Sequence, residues 1–571
     1  IAIIGAGQSG LQLGLGLLAN GYQVTLYSDR SAEEIRRGTV LSSQCMFDGA
    51  LEVERALGLS RWENECPPVQ GIGFAVPDGF GGKVIDWAAR LDNYALSVDQ
   101  RVKIPGWMAE FEKRGGELRI QEAGLNDLET RARSHDLVIV AAGKGEIAQL
   151  FERNAGHSRF DKPQRALALT YVRNMVPREP YSAVSFNLVP NVGEYFAFPA
   201  LTTSGPCDIM TFEGVVGGPM DCWQDVKTPE QHLARSREIL ERWLPWEAER
   251  CREIELTDGH GILTGRFTPG VRQPVGILPS GSKVLGMGDT VVLNDPITGQ
   301  GANNAAKCAE LYLESILERG QRPADVEWMH QTFERYWTAY AKWVTEWTNL
   351  MLNPPAHVMK ILEACGKLTA VASAFVNGFD DPQTFFPWFM EADAAEQFIQ
   401  QEAKAVADRF DRRDYRRALG QFATGVTVVT AGTPDGRRIG ITVNSFSSVS
   451  LDPPLILWSL ARNAASFQDF CRATHFAVNV LEAKQHHLSR QFSTPMQDKF
   501  AGVECAEGVA GCPLLNGAIA WLVCRKVRQH DGGDHVIFLG EVEEYKYQEG
   551  EPLVFHSGRY RVATRHPDIP E

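Results

Sequence analysis

The sequence predicts an α/β domain followed by a smaller β domain within one chain of 571 residues. Two observations support this fold class. A strand, a glycine turn, a helix and a second strand follow one another over residues 1–30, and alternating strands fill residues 425–562. Because the chain exceeds the usual size of one hydrophobic core, two or more domains are expected.

The composition is that of a globular protein, and it excludes several function classes. A net charge of −14 argues against nucleic-acid binding and against docking on anionic membranes. The longest uncharged run, residues 11–28, is interrupted by Gly, Gln and Asn, so no transmembrane helix is expected. The 11 cysteines lack the spacing of zinc or disulfide frameworks, which predicts no metal site and a cytoplasmic location.

The first glycine-rich turn predicts a Rossmann-type dinucleotide site. Gly5, Gly7 and Gly10 follow an apolar strand and open a helix, which is the context that this motif requires. Gly5 permits the tight turn, Gly7 lets a pyrophosphate approach the backbone, and Gly10 allows close contact between helix and strand. The alternative is a purely structural strand–helix–strand turn.

A second glycine-rich segment indicates which dinucleotide is bound. It resembles the second fingerprint of FAD proteins of the p-hydroxybenzoate-hydroxylase type, with Gly288, Asp289, Pro296, Gly299, Gln300, Gly301, Ala302 and Asn303 as its residues. The Asp289 carboxylate suits a ribityl hydroxyl of FAD, with a helix N-cap as the alternative role. The amides of residues 299–303 suit the N1/O2 edge of the isoalloxazine ring.

Two positions near the first motif bear on the same site. FAD proteins of this class usually carry Glu at the end of the second strand, where this chain has Ser28, so Asp29 is the candidate for holding the adenosine ribose. Arg101 aligns with an arginine that the class keeps near the flavin phosphates. A surface salt bridge is the alternative role for Arg101.

The N-terminal part shows a site for FAD and none for a nicotinamide. Single-component hydroxylases of this class carry an Asp-Gly pair after the central strand, where residues 143–145 are GKG. Residues 1–390 resemble the oxygenase component of styrene monooxygenases through TLYSDR, AAGKGEIAQLFER, KPQRAL and DPITGQGAN. The tryptophans at 243 and 246 do not have the spacing of flavin halogenases, which argues against halogenation. The oxygenase part therefore needs reduced flavin from elsewhere.

Residues 165–270 are predicted to form a β-rich substrate region, because short β-rich runs alternate with Pro, Gly and Asn turns. Apolar side chains in this region and beside Pro296 are candidates for lining a substrate pocket: Phe186, Phe196, Phe198, Leu201 and Ile297. Alternating aromatic residues more often belong to a core, which is the alternative for each of them.

A helical connector is expected over residues 391–412, with the second domain at residues 413–571. Turn signals at 434–436 and 531–533 separate its strands. The runs FATGVTVVT, GITVNSFSSVSLDPPLILWSL, GGDHVIFLGEV and PLVFHSGRY resemble the NAD(P)H:flavin reductases of two-component monooxygenases. This resemblance implies a split β-barrel.

Polar residues of the second domain are candidates for holding the cofactors. Hydroxyl and amide groups along one extended segment suit the edge and the phosphates of a flavin: Thr442, Asn444, Ser445, Ser447 and Ser448. The resemblance implies that Gly533, Asp534 and His535 form a nicotinamide-binding loop with His535 as the catalytic residue, whereas a lone hairpin histidine is more often a surface residue. Arg559 is a further cofactor-binding candidate.

Together, these resemblances imply a self-sufficient flavin monooxygenase with FAD and NADH as cofactors. NADH reduces FAD in the second domain, and the first domain uses reduced FAD and O₂ to epoxidise styrene-like aromatic alkenes and indole. The alternatives are an aromatic hydroxylase, a sulfoxidase and a flavin-binding redox sensor. A homodimer formed through the reductase domain and a separate epoxidase as partner are compatible with the same resemblance.

Overall fold

The computed structural model describes residues 1–142, 146–409, 411–433, 435–496 and 498–564. The chain divides into two compact units, Ile1–Val406 and Ala407–Glu571, called unit 1 and unit 2 below. The predicted turn at 143–145 lies outside the described residues, as does Pro434 of the first predicted hairpin turn.

Unit 1 combines helices with two large sheets. Its strands are β1 (Ala2–Ile4), β2 (Thr25–Ser28), β3 (Val69–Pro77), β4 (Lys83–Ala95), β5 (Glu117–Ile120), β6 (Val138–Val140), β7 (Arg165–Arg173), β8 (Val184–Val189), β9 (Gly193–Thr202), β10 (Gly205–Val215), β11 (Glu255–Leu256), β12 (Ile262–Gly265), β13 (Gly270–Val271), β14 (Val275–Ile277), β15 (Lys283–Gly286) and β16 (Val292–Leu293). Its helices are α1 (Gln8–Ala19), α2 (Ala32–Arg37), α3 (Asp48–Ala56), α4 (Gln100–Lys113), α5 (Leu125–Ser134), α6 (Pro229–Trp243), α7 (Pro245–Arg250), α8 (Gly301–Arg319), α9 (Val326–Tyr336), α10 (Lys342–Met351), α11 (Ala356–Cys365), α12 (Thr369–Asn377) and α13 (Ala392–Arg409).

The first sheet of unit 1 carries both glycine-rich segments. Its strand order is β14-β15-β6-β1-β2-β5, and all neighbouring strands run parallel except β14 and β15. The central strands are fully apolar and buried, as strands covered on both faces must be. Helix α1 connects β1 to β2, so the first motif stands at the carboxyl end of β1.

The second sheet of unit 1 has the order β11-β7-β10-β9-β8-β3-β4, with β12 also paired to β7. Its pairs are antiparallel except for β3 with β8. Side chains alternate between two buried faces. One face packs with the helices from α10 to α12, and the other packs with α6 and α7.

The substrate region departs from the sequence prediction in two ways. Residues 229–250 are helical rather than β-rich, because α6 and α7 cover one face of the second sheet with the apolar side chains Ile239 and Leu240. In addition, β3 and β4 complete this sheet although they lie far before β8 in the chain, as the pairing of Ile72 with Val184 shows.

Unit 2 is built mainly on antiparallel strands. Its strands are β17 (Thr424–Gly425), β18 (Thr427–Gly432), β19 (Arg438–Val443), β20 (Ser447–Leu451), β21 (Pro454–Ala461), β22 (His475–Val480), β23 (Cys505–Glu507), β24 (Pro513–Leu515), β25 (Ala520–Gly532), β26 (His535–Tyr547), β27 (Leu553–His556) and β28 (Arg559–Val562). Its helices are α14 (Arg412–Leu419), α15 (Phe467–Arg472) and α16 (His486–Ser493). The largest sheet has the order β19-β18-β22-β25-β26-β21-β20.

The core of unit 2 is organised around one tryptophan. Trp458 is fully buried and stacks on Phe538, with 4.8 Å between the ring centroids and 15° between the planes. Phe470 and Phe476 meet the same indole ring edge-on. This cluster lies against β21, β22 and β26, three strands of the largest sheet.

The predicted connector is helical, but its first part belongs to unit 1. Ala395 on α13 is buried, and Phe398 and Ile399 pack against the same hydrophobic cluster of unit 1. The division between the units falls inside α13 for this reason. No helix in the described ranges combines the length and the apolar composition of a membrane span.

A substitution at Gly10 tests how closely α1 approaches the first sheet. A Cβ at Gly10 would lie 2.0 Å from the Gly5 carbonyl oxygen, so Gly10→Ala should push α1 away from β1. We expect the free energy of unfolding to fall by about 1–3 kcal/mol, as for other overpacked positions, in a chemical denaturation experiment. Gly265→Ala is the control, because a Cβ there meets no atom within 4 Å. Equal stability of both variants would contradict the close approach.

Candidate functional site

The first glycine-rich turn leaves its central residue open. Gly5 has φ +114°, and a Cβ on it would lie 2.8 Å from the backbone of Ala141 on the neighbouring strand connection. Gly7 is the N-cap of α1, and a Cβ there would meet no atom of the described residues within 4 Å. The first turn of α1 has neither a side-chain cap nor an acidic residue. Its N–H groups are therefore suited to an anionic ligand in front of Gly7.

The second glycine-rich segment also contains an open glycine and leads into a helix without a side-chain cap. Gly299 has φ +66°, and a Cβ on Gly301 would meet no atom within 4 Å among the residues that the structure describes. Helix α8 begins after Gln300 without a side-chain cap and without an acidic residue in its first turn. Gly288 lies against the first segment, because a Cβ on it would be 2.9 Å from the Ser9 hydroxyl oxygen.

Helices α1 and α8 pack in parallel, which brings the two segments together. The Gln8 amide donates to the carbonyl oxygen of Ala302 over 3.2 Å, and the Gln12 amide lies 3.5 Å from that of Ala306. A third bond runs from the Tyr22 hydroxyl to the Ile316 carbonyl oxygen. In each of the three bonds, donor and acceptor residues are 294 positions apart in the sequence. A constant offset means that the helices run in the same direction, with their N-termini side by side. Two helix dipoles therefore point their positive ends at one region.

Two polar side chains of the second segment, Gln300 and Asn303, anchor this segment to other parts of unit 1. Gln300 is buried, and its amide donates to the Phe379 carbonyl oxygen and accepts from the Tyr340 hydroxyl. Asn303 is also buried, and its side chain accepts from the Phe47 amide. It further donates to the carbonyl oxygen of the cysteine at position 45. The segment thus offers backbone amides to a ligand, while these two side chains fix its position.

Asp29 and Asp289 lie at exposed positions near the two segments. Asp29 follows β2, and its carboxylate lies 3.6 Å from the Arg30 guanidinium. Asp289 is part of a short 3₁₀ turn, Gly288–Thr290, directly after β15. Their assigned contacts with a ribose and a ribityl chain stay predictions.

Arg101 is held by protein carboxylates at a buried position. Its guanidinium makes two bonds of 3.1 Å to Asp258 and one of 2.9 Å to Asp99, the N-cap of α4. It also donates to the Thr202 hydroxyl over 3.1 Å. The alternative of a surface salt bridge is wrong, because this ion pair is buried. A contact between Arg101 and flavin phosphates stays a prediction, and it would require Arg101 to exchange Asp258 for a phosphate.

Four of the five candidate pocket residues lie in one apolar cluster. Phe186 and Phe196 stack at 4.4 Å on neighbouring strands, and Phe198 follows on the same face of the second sheet. Ile297 joins this cluster from the loop that precedes α8. Leu201 belongs to a different cluster, which includes Ala302. The aromatic face of the sheet therefore meets the second glycine-rich segment.

The candidate flavin-binding residues of unit 2 divide into two groups. Thr442 donates to the Ser489 carbonyl oxygen over 2.7 Å, and Ser445 both donates to and accepts from the backbone of Ser459. The other candidates are exposed at the end of the same segment: Asn444, Ser447 and Ser448. The first group stabilises the segment, and the second group is available to a ligand.

The loop Gly533-Asp534-His535 closes the hairpin of β25 and β26. Gly533 has φ +78°, and the His535 Nδ1 lies 2.7 Å from the Asp534 carboxylate. Arg462 stabilises this loop through bonds to the Gly533 carbonyl oxygen and the Asp531 carboxylate. Sequence reasoning missed Arg462, because nothing in its local pattern points to a partner about seventy residues away.

Two further observations complete the description of unit 2. Arg559 opens β28 at an exposed position beside Tyr560, whose hydroxyl lies 2.9 Å from the Ser489 hydroxyl. Helix α16 thereby connects β28 with the Thr442 segment.

In the described ranges of both units, no group of three or more His, Cys, Asp or Glu side chains is arranged to hold a metal ion.

Comparisons with known proteins match the two units separately. Residues 419–564 match the family described as the flavin reductase like domain, and residues 143–250 match the styrene monooxygenase A substrate binding domain. The chain is 28% identical to styrene monooxygenase StyA from Pseudomonas fluorescens over 417 residues, which is 71% of this chain and 99% of the relative. The FMN reductase (NADH) SmoA from Agrobacterium fabrum is 48% identical over 153 residues, which is 27% of this chain and 87% of the relative.

A solved structure is similar to the reductase region as well. An NADH:FAD oxidoreductase of Streptomyces globisporus, in complex with NAD and FAD fragments, is 42% identical, with a TM-score of 0.27. The match covers 28% of this chain and 96% of that chain.

These findings identify the class of protein. Through its C-terminal region the chain belongs to the flavin reductase family, and it is a flavin-dependent oxidoreductase. The chain joins this reductase domain to a region of the styrene monooxygenase type, which confirms the resemblance predicted from the motifs.

Replacing Gly7 tests the first segment as a flavin site. Gly7→Val adds a branched side chain at a position where a Cβ meets no atom of the described part of the chain within 4 Å, so the fold should persist. The space in front of the amides of α1 should be filled, and flavin binding by unit 1 should fall at least about 100-fold, as for a blocked pyrophosphate contact. Equilibrium titration under conditions that saturate unit 2 measures this affinity.

The control for this prediction is Gly265→Val on β12. Its Cβ also meets open space, so the same side chain is added away from the segment. NADH-dependent flavin reduction, a property assigned to unit 2, should survive in both variants. Loss of flavin reduction in a folded Gly7→Val protein would contradict the assignment of two separate sites.

Proposed function

We propose that this protein is a self-sufficient monooxygenase in which unit 2 reduces FAD with NADH. Unit 1 then uses the reduced FAD and O₂ to epoxidise styrene-like aromatic alkenes. The parallel pairing of α1 and α8 carries this proposal, since it presents two uncapped helix N-termini to one anionic cofactor. We further propose a Rossmann-type FAD domain of the p-hydroxybenzoate-hydroxylase type in unit 1 and a split β-barrel in unit 2.

The residues of unit 1 fit FAD at both ends. The open face of Gly7 leaves space for the pyrophosphate, and the amides at the start of α1 supply donors to it. The amides of residues 301–303 suit the N1/O2 edge of the flavin ring, where negative charge gathers on reduction. FAD, when bound, supplies the chemistry that activates O₂, and the protein supplies position and a dry environment.

The aromatic face of the second sheet is the proposed position of the substrate. Phe186, Phe196 and Phe198 form an apolar surface that meets Ile297 in the loop before α8. Helices α10 to α12 pack on the same side chains, so an aromatic alkene would have to open this packing to bind beside the flavin end of the second segment. Water is excluded there, because these side chains are buried.

Unit 2 is proposed to receive the flavin at the segment that leads from β19 into β20, and the nicotinamide at the hairpin of β25 and β26. Asn444, Ser447 and Ser448 are exposed donors for the flavin, and His535 stands at the start of β26 for the nicotinamide. Large apolar side chains at exposed positions on unit 2, Leu451, Tyr545 and Tyr547, favour a homodimer formed through this unit. A separate epoxidase as partner is a further expectation of the same proposal.

The proposed function is tested by comparing NADH consumption with product formed from styrene. We expect NADH oxidation that depends on added FAD, and styrene oxide in no more than an equimolar amount to NADH. Parallel assays with a phenol and a thioether separate epoxidation from hydroxylation and sulfoxidation. NADH oxidation without oxygenated product from any substrate would contradict the oxygenase role of unit 1, and no NADH oxidation would favour a flavin sensor.

Replacing His535 tests the nicotinamide loop. His535→Ala should lower kcat/KM for NADH about tenfold or more, which corresponds to the loss of one hydrogen-bonding contact to the dinucleotide. Supplying chemically reduced FAD should restore epoxide formation, because unit 1 is unchanged. His530→Ala on β25 is the control, since this exposed histidine belongs to the same hairpin. Failure of the rescue in a folded variant would mean that His535 serves the oxygenation step.

A further inference from the structure

A buried group of four charged residues connects the second sheet with the second glycine-rich segment. Glu194 on β9 and Glu213 on β10 are direct cross-strand partners, so their side chains share one face. Arg165 on β7 pairs with Val215, two residues from Glu213, and therefore lies on this face as well. Asp295 approaches from the loop before α8, close enough for a side-chain hydrogen bond with Glu213.

Within this group, Arg165 and Glu194 satisfy each other. Their two bonds, of 2.7 and 2.9 Å, form a bidentate ion pair, and both side chains are buried. Arg165 also donates to the Leu352 carbonyl oxygen. The one positive charge of the group, on Arg165, is therefore paired with only one of the three carboxyl groups, that of Glu194.

The other two carboxyl groups have no such partner. Glu213 is 0% exposed, and neither of its carboxyl oxygens accepts a hydrogen bond from an N–H or hydroxyl donor in the part of the chain that the structure describes. Asp295 is 3% exposed, and its carboxylate accepts one bond, from the Ile297 amide over 3.3 Å. Two neighbouring carboxylates cannot both be ionised at this depth without an opposing charge for each.

We propose that Glu213 is a protonated positioning residue whose proton is shared with Asp295 and thereby holds the flavin segment against the substrate sheet. A carboxylic acid donates one O–H bond, which an ionised neighbour accepts in a strong, charge-assisted bond. This bond would tie β10 to the residue directly before Pro296. The proposal rests on the proposed function only because it assigns the segment that begins at Asp295 to FAD.

The electrostatics of the group support this assignment. Burial, followed by the charges of Asp295 and Glu194, holds the pKa of Glu213 well above its ordinary range. Arg165 opposes this effect, and the side-chain hydrogen bond to Asp295 adds to it. Burial also raises the pKa of Asp295 to about 6, against the opposing influence of Arg165. One guanidinium, that of Arg165, thus faces three buried carboxyl groups, which favours the neutral form of Glu213.

The pH dependence follows from the direction of these shifts. A carboxyl group with a raised pKa in the folded state contributes stability that is complete below its unfolded pKa, about 4.3 for Glu. This stability is lost as the pH rises towards the pKa of the folded state. Above that pH, Glu213 and Asp295 repel each other, and the loop that begins at Asp295 should leave the sheet.

The test compares the full chain with Glu213→Gln, which keeps a donor towards Asp295 at every pH. The melting temperature of unit 1 should fall in the wild type relative to the variant as the pH rises from about 5 to about 8. Infrared spectroscopy in D₂O should show a protonated carboxylic acid band in the wild type at neutral pH, and this band should be absent from the variant. Neither measurement depends on the substrate.

A kinetic measurement connects the proton with the flavin segment. The KM for chemically reduced FAD in styrene epoxidation should rise with pH in the wild type, by about tenfold per pH unit once the shared proton is lost. In Glu213→Gln this KM should be less dependent on pH, while kcat for NADH oxidation by unit 2 stays unchanged in both proteins.

Two further variants keep the proposal falsifiable. If Glu213→Gln does not fold, Asp295→Asn provides the same test, because removal of its charge should move the acid band to a lower pH range. Glu54→Gln is the control for a buried glutamate that has a partner, since Lys103 donates to it over 2.6 Å. This control should destabilise the protein without removing the Glu213 band.

The outcomes separate this inference from the proposed function. Equal pH profiles of melting temperature and of KM in the wild type and in Glu213→Gln would overturn the shared proton, even if epoxide is formed. Absence of epoxide in the wild type, together with the expected acid band and melting profile, would overturn the proposed function and retain the proton.

Discussion

The parallel packing of α1 against α8 is the constraint on which the rest of unit 1 depends. The two helices begin 293 residues apart in the chain, and a constant register from Gln8 to Tyr22 places their first turns side by side. Gly16 makes this packing possible, because a Cβ there would lie 2.6 Å from a methyl group of Leu313. The positions of the first sheet, of the second glycine-rich segment and of the loop before α8 all follow from this contact.

This arrangement assigns different tasks to backbone and side chains. The polar side chains that the second motif contributes, Gln300 and Asn303, bond to distant parts of unit 1. Arg101 likewise bonds to Asp258. The backbone amides at the two helix starts are left for the ligand. A site of this kind obtains its affinity for an anionic cofactor from dipoles and N–H groups whose directions are fixed before binding.

The sequence predicted the local elements well, and it predicted their long-range partners poorly. The glycine turns and the reductase strands have short periodic patterns, so their type follows from a few neighbouring residues. The placement of β3 and β4 beside β8, and the helices at 229–250, depend on packing against one sheet rather than on a local signal. Gln8 and Glu213 were missed for the same reason, because a single polar residue in an apolar run does not reveal its partner. Leu201 was grouped with the three phenylalanines of β8 and β9, yet its side chain joins a different cluster.

The charged residues around Arg165 lie on an otherwise apolar face of the second sheet, and their burial there costs folding free energy. Replacing a buried ion pair by apolar side chains of similar volume is often neutral or stabilising, so stability alone does not explain its presence. Glu213 adds to this cost, since its carboxyl oxygens are buried and accept no hydrogen bond from an N–H or hydroxyl donor among the described residues. Phe196 lies two residues from Glu194 on the same face, and Ile297 lies two residues from Asp295 in the loop. These charged residues thus lie where the proposed substrate surface and the proposed flavin segment meet. The proposed bond between Glu213 and Asp295, whose strength depends on one proton, therefore couples the position of the flavin segment to that of the substrate surface.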